Sequence, residues 1–141
     1  MSLYLDASAA AATVIEEAAS AAVARFLHAA TEPLILSELA AAEVASALSR
    51  LVRMGEVSNR SAVTRLAEFD AWRSSTTTGI EFQMSDFRLA SVFVRRFDLG
   101  LRAPDALHAA LCRRDDHRLV TLDRRLATAA RALGVSVEWL Q

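Results

Sequence analysis

The chain has 141 residues, 53% of them hydrophobic and 23% charged, which excludes wholesale disorder and suits one folded domain over residues 1–141. Its formal net charge of −1 conceals an asymmetry: residues 1–70 carry 5 Arg against 9 acids, residues 71–141 carry 11 Arg against 8 acids. All 16 basic residues are Arg and none is Lys, so Schiff-base and P-loop chemistry are excluded, as is any phospho-aspartate site needing a lysine.

Ser2 to Asp6 reads as a short strand that stops at an acid, and the Ala-rich stretch from Ala7 to Ala30 as a helix in two pieces. Glu32-Pro33 breaks that pattern before a second strand, Leu34–Leu36. Ser37 is a good N-cap for a helix reaching Met54, and Gly55 stands where helices stop. Ser58 opens another helix to Trp72. A turn over Ser74–Gly79 then precedes a third strand, Ile80–Met84, and Ser85 caps a helix through Phe97. Pro104 suits the first turn of a helix ending near Arg114. Arg118–Leu122 is a fourth strand ending at Asp123, followed by a helix to Leu133, Gly134 and a last strand, Val135–Trp139. Short apolar strands separated by helices predict a three-layer α/β/α domain around a mostly parallel sheet of four to five strands.

No apolar run approaches the roughly 20 residues that cross a bilayer. The acidic start lacks the basic region of a signal peptide, and the single Cys112 fits a reducing compartment, so a cytoplasmic protein is expected. Four separated glycines offer no phosphate-cradling loop. His28 and His117 have no ligand-spaced neighbour, which argues against zinc. Cys112 reads as a small buried hydrophobe.

Four acids stand out. Ligands of open parallel sheets bind beyond the carboxyl ends of the strands, and Asp6 and Asp123 fall directly after strands. Asp105 lies in a first helical turn. Glu43 sits in a nearly apolar helix, where a carboxylate needs a partner. Each Asp also has a plain structural role open to it, as N-cap or dipole complement. His108, one turn after Asp105, reads chiefly as a locally bonded helix histidine. Asp70, Asp86, Asp98, Asp115 and Asp116 read as surface or capping acids.

The ordered pieces Leu3-Tyr-Leu-Asp6-Ala-Ser8, Ala42-Glu43-Val44, Pro104-Asp105-Ala-Leu-His-Ala-Ala110 and Leu119-Val-Thr121-Leu-Asp123 resemble PIN-domain ribonucleases, with the VapC-like toxins of type II toxin–antitoxin modules most similar. The resemblance runs from Leu3 to Trp139. It implies a Mg²⁺-dependent endoribonuclease, with Mn²⁺ able to substitute, leaving 5′-phosphate and 3′-hydroxyl ends. The acidic positions carry over to Asp6, Glu43, Asp105 and Asp123 as catalytic and metal-binding residues, with Ser8 and Thr121 as supporting hydroxyls. All-oxygen ligation favours such hard cations over zinc. Arg102, Arg124 and Arg125 neighbour the acids in sequence and are candidate contacts to RNA phosphate. The resemblance further implies a cognate antitoxin protein and a homodimer, with apolar stripes over residues 38–54 and 58–73 as the region of a helix-binding groove. The alternative is a catalytically idle PIN-like module acting through its partner.

Overall fold

The computed structural model describes residues 1–141. Its centre is a five-stranded sheet in the order β3-β2-β1-β4-β5, parallel throughout: β1 (Leu3–Leu5), β2 (Leu34–Ser37), β3 (Thr77–Ile80), β4 (Arg118–Thr121) and β5 (Val137–Trp139). Parallel strands need crossovers, and seven helices supply them: α1 (Ala7–Ala11), α2 (Ser20–Ala29), α3 (Glu38–Arg53), α4 (Asn59–Thr76), α5 (Met84–Val94), α6 (Ala103–Asp115) and α7 (Arg124–Ala132).

The period of two along the strands divides the core between the two faces of the sheet. Leu3, Leu5, Leu34, Leu36 and Val120 pack with α1, α3 and Phe69 of α4. Tyr4, Ile35 and Leu119 pack with α5, α6 and α7 on the other face. Cys112 is buried in that second layer. Helices on both faces explain why the central strands read as continuous apolar runs.

The stretches around β3 and α5 depart from the sequence reading. The segment expected as a turn, Ser74–Gly79, is instead the end of α4 followed by β3, and the expected strand Ile80–Met84 is mostly a link. The β-branched run Thr76-Thr-Thr78 decides this. The Thr77 hydroxyl donates to the Arg73 carbonyl at 2.8 Å to close α4, and Thr77–Ile80 then pairs with Leu34–Ser37. Phe82, whose alternation with Ile80 mimicked a strand, packs into the core from the link. Likewise α5 begins after Gln83, not Ser85, because Asp86 turns back to accept the Gln83 N–H at 2.8 Å. It ends at Val94, and a separate 3₁₀ turn covers Phe97–Leu99. Gly100 follows that turn at φ 63°, a conformation that glycine adopts without strain, and leads the chain into α6.

The chain builds β1, β2 and β3 outward in one direction, then returns through α5 and α6 to place β4 on the opposite side of β1. The carboxyl ends of β1 and β4 therefore flank a topological switch point, where adjoining crossovers diverge and leave a crevice. No helix is long and apolar enough to cross a membrane.

Candidate active site

Asp6 leaves β1 at that switch point and is buried, with 3% of its surface exposed. Its Oδ1 accepts hydrogen bonds from the Ser8 hydroxyl at 2.7 Å and the Ala9 N–H at 2.9 Å; Oδ2 accepts from the Thr121 hydroxyl at 2.5 Å. The two hydroxyls lie 3.2 Å apart and in turn accept the N–H groups of Leu122 and Asp123. This cradle ties the β1–α1 and β4–α7 junctions together. Burial pushes the Asp6 carboxyl above its ordinary range, and the three donors pull it back in part. Asp6 is thus also the N-cap of α1, the plain role the sequence left open.

Asp123 caps α7 in the same way, its Oδ1 accepting the N–H groups of Arg125 at 2.9 Å and Leu126 at 3.2 Å. Asp105 stands in the first turn of α6, brought there by Pro104. Partial burial raises its carboxyl, and the negative charge of Asp123 raises it further, with a smaller contribution from Glu43. Glu43 projects from α3, its Oε1 2.6 Å from His108 Nε2.

Glu43, Asp105 and Asp123 line one cavity of about 320 Å³, with Arg102, Arg125 and Gly100 around it. Asp6 is not among the lining residues; its two carboxyl oxygens are engaged in the cradle between β1 and β4. Nowhere do three or more His, Cys, Asp or Glu side chains stand close enough to hold a metal ion as they are. The donor set nevertheless suits a hard divalent cation: every side chain offers oxygen, and Asp105, raised by partial burial, is raised further by the charges of Asp123 and Glu43, a repulsion such a cation relieves. Arg124 lies outside this cavity. It lines a neighbouring depression with Arg125 and Asp98, its guanidinium 5.9 Å from the Trp139 ring centre.

His108 exceeds its expected role. It is buried, and besides Glu43 its ring contacts the Tyr4 hydroxyl, 2.5 Å from Nδ1. Its partners lie 65 and 104 residues away in the chain, so no neighbouring residue signals them. Among the acids read as surface or capping, Asp98 pairs with Arg96 at 3.0 Å, while Asp86 is fully buried and pairs with Arg114 as well as capping α5. On the far side, Ala12, Val14, Ala24, Leu27 and Trp72 line a groove of about 800 Å³ between the α1–α2 segment and α4.

The PIN domain family model matches residues 3–132. No curated protein matches the chain significantly. Among solved structures it is similar to PAE2754 from Pyrobaculum aerophilum, at 23% identity over 97% of this chain and 83% of that one, with a TM-score of 0.67. It is also similar to VapC20 from Mycobacterium tuberculosis, a sarcin-ricin loop cleaving toxin, at 19% identity over 91% and 95% with a TM-score of 0.72. A third likeness is to VapBC2 from Rickettsia felis bound to a DNA fragment from their promoter, at 13% identity over the full length of both chains with a TM-score of 0.72. At these identities the likenesses concern the fold.

Proposed function

Because the chain belongs to the PIN domain family, we propose that it is a divalent-metal-dependent endoribonuclease and the toxin of a type II toxin–antitoxin pair. The observation that carries this reading is the cavity at the switch point, which Glu43, Asp105 and Asp123 line together and where Asp105 is raised by partial burial and by its acidic neighbours. Mg²⁺, or Mn²⁺ in its place, would be held by these three with Asp6 completing the set. When bound, such a cation supplies Lewis acidity to a phosphate oxygen and acidifies water for attack at phosphorus.

The chain's own residues do the rest. Ser8 and Thr121 keep the Asp6 carboxyl oriented through donors to both oxygens. Asp123 is immobilised by the first N–H groups of α7. Arg102 and Arg125 stand at the cavity and take the phosphates flanking the scissile one, with Arg124 extending the basic surface towards Trp139. The apolar groove beside α4 is offered to an amphipathic helix of the antitoxin, with Trp72 as its largest contact. The outer side of α5 and the turn after it expose Met84, Phe87, Val92 and Phe97, which would be covered in a homodimer.

A second reading keeps one observation on its side. Asp6 and Asp123 both cap helices, a role a catalytically idle module acting through its partner would retain. The test is cleavage of total RNA by purified protein with Mg²⁺ or Mn²⁺, against EDTA and Asp105→Asn controls, with the cut ends mapped. Internal cuts bearing 5′-phosphate and 3′-hydroxyl ends, lost at least about a hundredfold in both controls, support the nuclease. Intact RNA, or equal growth inhibition by wild type and Asp105→Asn in cells, supports the idle module.

A further inference from the structure

Tyr4 lies in the middle of β1 and is fully buried, yet it carries a hydroxyl. That hydroxyl is 2.7 Å from Ser37 Oγ, at the end of β2, and 2.5 Å from His108 Nδ1, on α6. The opposite ring nitrogen of His108 is 2.6 Å from Glu43 Oε1, on α3. A line of polar atoms therefore runs from beneath the sheet edge to one wall of the acid cavity.

Counting protons gives this line a direction. Ser37 Oγ accepts the Ala40 N–H at 3.1 Å as the cap of α3, so its own proton has a single acceptor within reach, the Tyr4 oxygen. The one proton of Tyr4 then goes to His108 Nδ1. With Nδ1 accepting, His108 carries its proton on Nε2 and donates it to Glu43. Ser37, Tyr4 and His108 are all buried, so water offers no other arrangement. Burial also raises the Tyr4 phenol well above its ordinary range, which keeps its proton in place.

We propose that His108 is a positioning residue for Glu43: fixed as the neutral Nε2–H tautomer by Tyr4 and Ser37, it holds one oxygen of the Glu43 carboxylate and so orients the other towards a cation in the cavity. A glutamate on its own swings about three side-chain bonds, and holding it in advance removes that freedom before the cation arrives. His108, Tyr4 and Ser37 contact neither RNA nor metal. The inference rests on the cavity being a cation site.

The test uses metal-free, ¹⁵N-labelled protein and Mn²⁺ as the probe. Long-range imidazole ¹H–¹⁵N spectra of the wild type near pH 7.5 should show His108 as the neutral Nε2–H tautomer. Tyr4→Phe, which keeps the ring and loses the hydroxyl, should give mixed tautomers. In Mn²⁺ titrations followed by electron paramagnetic resonance, His108→Ala should bind about tenfold more weakly than wild type, and His108→Gln, whose amide can donate in place of Nε2, should recover part of the loss. Circular dichroism checks that each variant is folded. An Nδ1–H tautomer or an imidazolium in the wild type overturns the proposal. So does a wild type that binds Mn²⁺ no better than a folded His108→Ala or Tyr4→Phe. A wild type that binds no Mn²⁺ while showing the Nε2–H tautomer overturns the cation site itself and the proposal with it, and the intact tautomer tells that failure apart from the others.

Discussion

Thr121→Val tests the cradle around Asp6 with little change of shape. Thr121 is fully buried, and its hydroxyl donates to Asp6 Oδ2 at 2.5 Å and accepts the Asp123 N–H at 3.0 Å. Valine fills the same volume and removes both bonds. A hydrogen bond to a charged group contributes about 1.5–3 kcal/mol, and a backbone N–H left without its partner adds about 1 kcal/mol. The expected loss is about 3 kcal/mol near pH 7.5, or a midpoint roughly 10 °C lower for a chain of this size. The pH dependence has a defined sign. The Thr121 bond favours the ionised carboxylate, so its contribution is present where Asp6 is charged and fades as pH falls through the carboxyl's range. Burial has raised that range, so the deficit should already shrink towards about pH 4, where aspartates begin to protonate even when unperturbed. Urea unfolding of both proteins at the two pH values measures it. A deficit below about 0.5 kcal/mol at the higher pH, or one of equal size at both, refutes the reasoning.

Asp105→Asn should raise the thermal midpoint of the metal-free protein. A carboxyl raised in the folded state contributes stability at low pH that is lost as pH rises through its range, so the gain should appear near neutrality and vanish in acid; a thermal melt series across pH reads it. Arg114→Met leaves the buried Asp86 carboxylate without its ion pair and should cost about 3 kcal/mol by chemical denaturation, more than Arg96→Met, whose partner Asp98 is exposed. Ala24→Arg, in the apolar groove, should leave the RNA cleavage rate unchanged and abolish inhibition by the antitoxin expressed alongside it. Arg102→Ala and Arg125→Ala should each weaken RNA binding at the cavity and lower the salt dependence of that binding by about one unit of slope.

Much of this arrangement was legible in the chain because its signals are local. Leu3-Tyr-Leu-Asp6 and Leu119-Val-Thr-Leu-Asp123 are short apolar runs ending at acids, and such runs fix both a buried parallel strand and the position of the acid at its end. Ser37 was legible as a cap because an N-cap bond spans only three residues. The third strand was not. Ile80, Phe82 and Met84 alternate as a strand would, and only pairing with Leu34–Ser37 selects the Thr-rich run instead. The contacts of His108 are hidden for the same reason: its two bonds join residues far apart in the chain, and no local pattern encodes them. The hold on Asp6 through Ser8 and Thr121 could be expected as a supporting role, though its geometry needed the junctions of β1 and β4 side by side.

The proposed function requires that the crevice at the ends of β1 and β4 receive a divalent cation among acids 6, 43, 105 and 123. Crystals grown with Mn²⁺, and diffraction data collected at the manganese absorption edge, address it without any assay of activity. An anomalous peak is expected in the cavity bounded by Glu43, Asp105 and Asp123, and none there in crystals of Asp105→Asn. A peak bound elsewhere on the protein, or a cavity holding only water at saturating Mn²⁺, would contradict it.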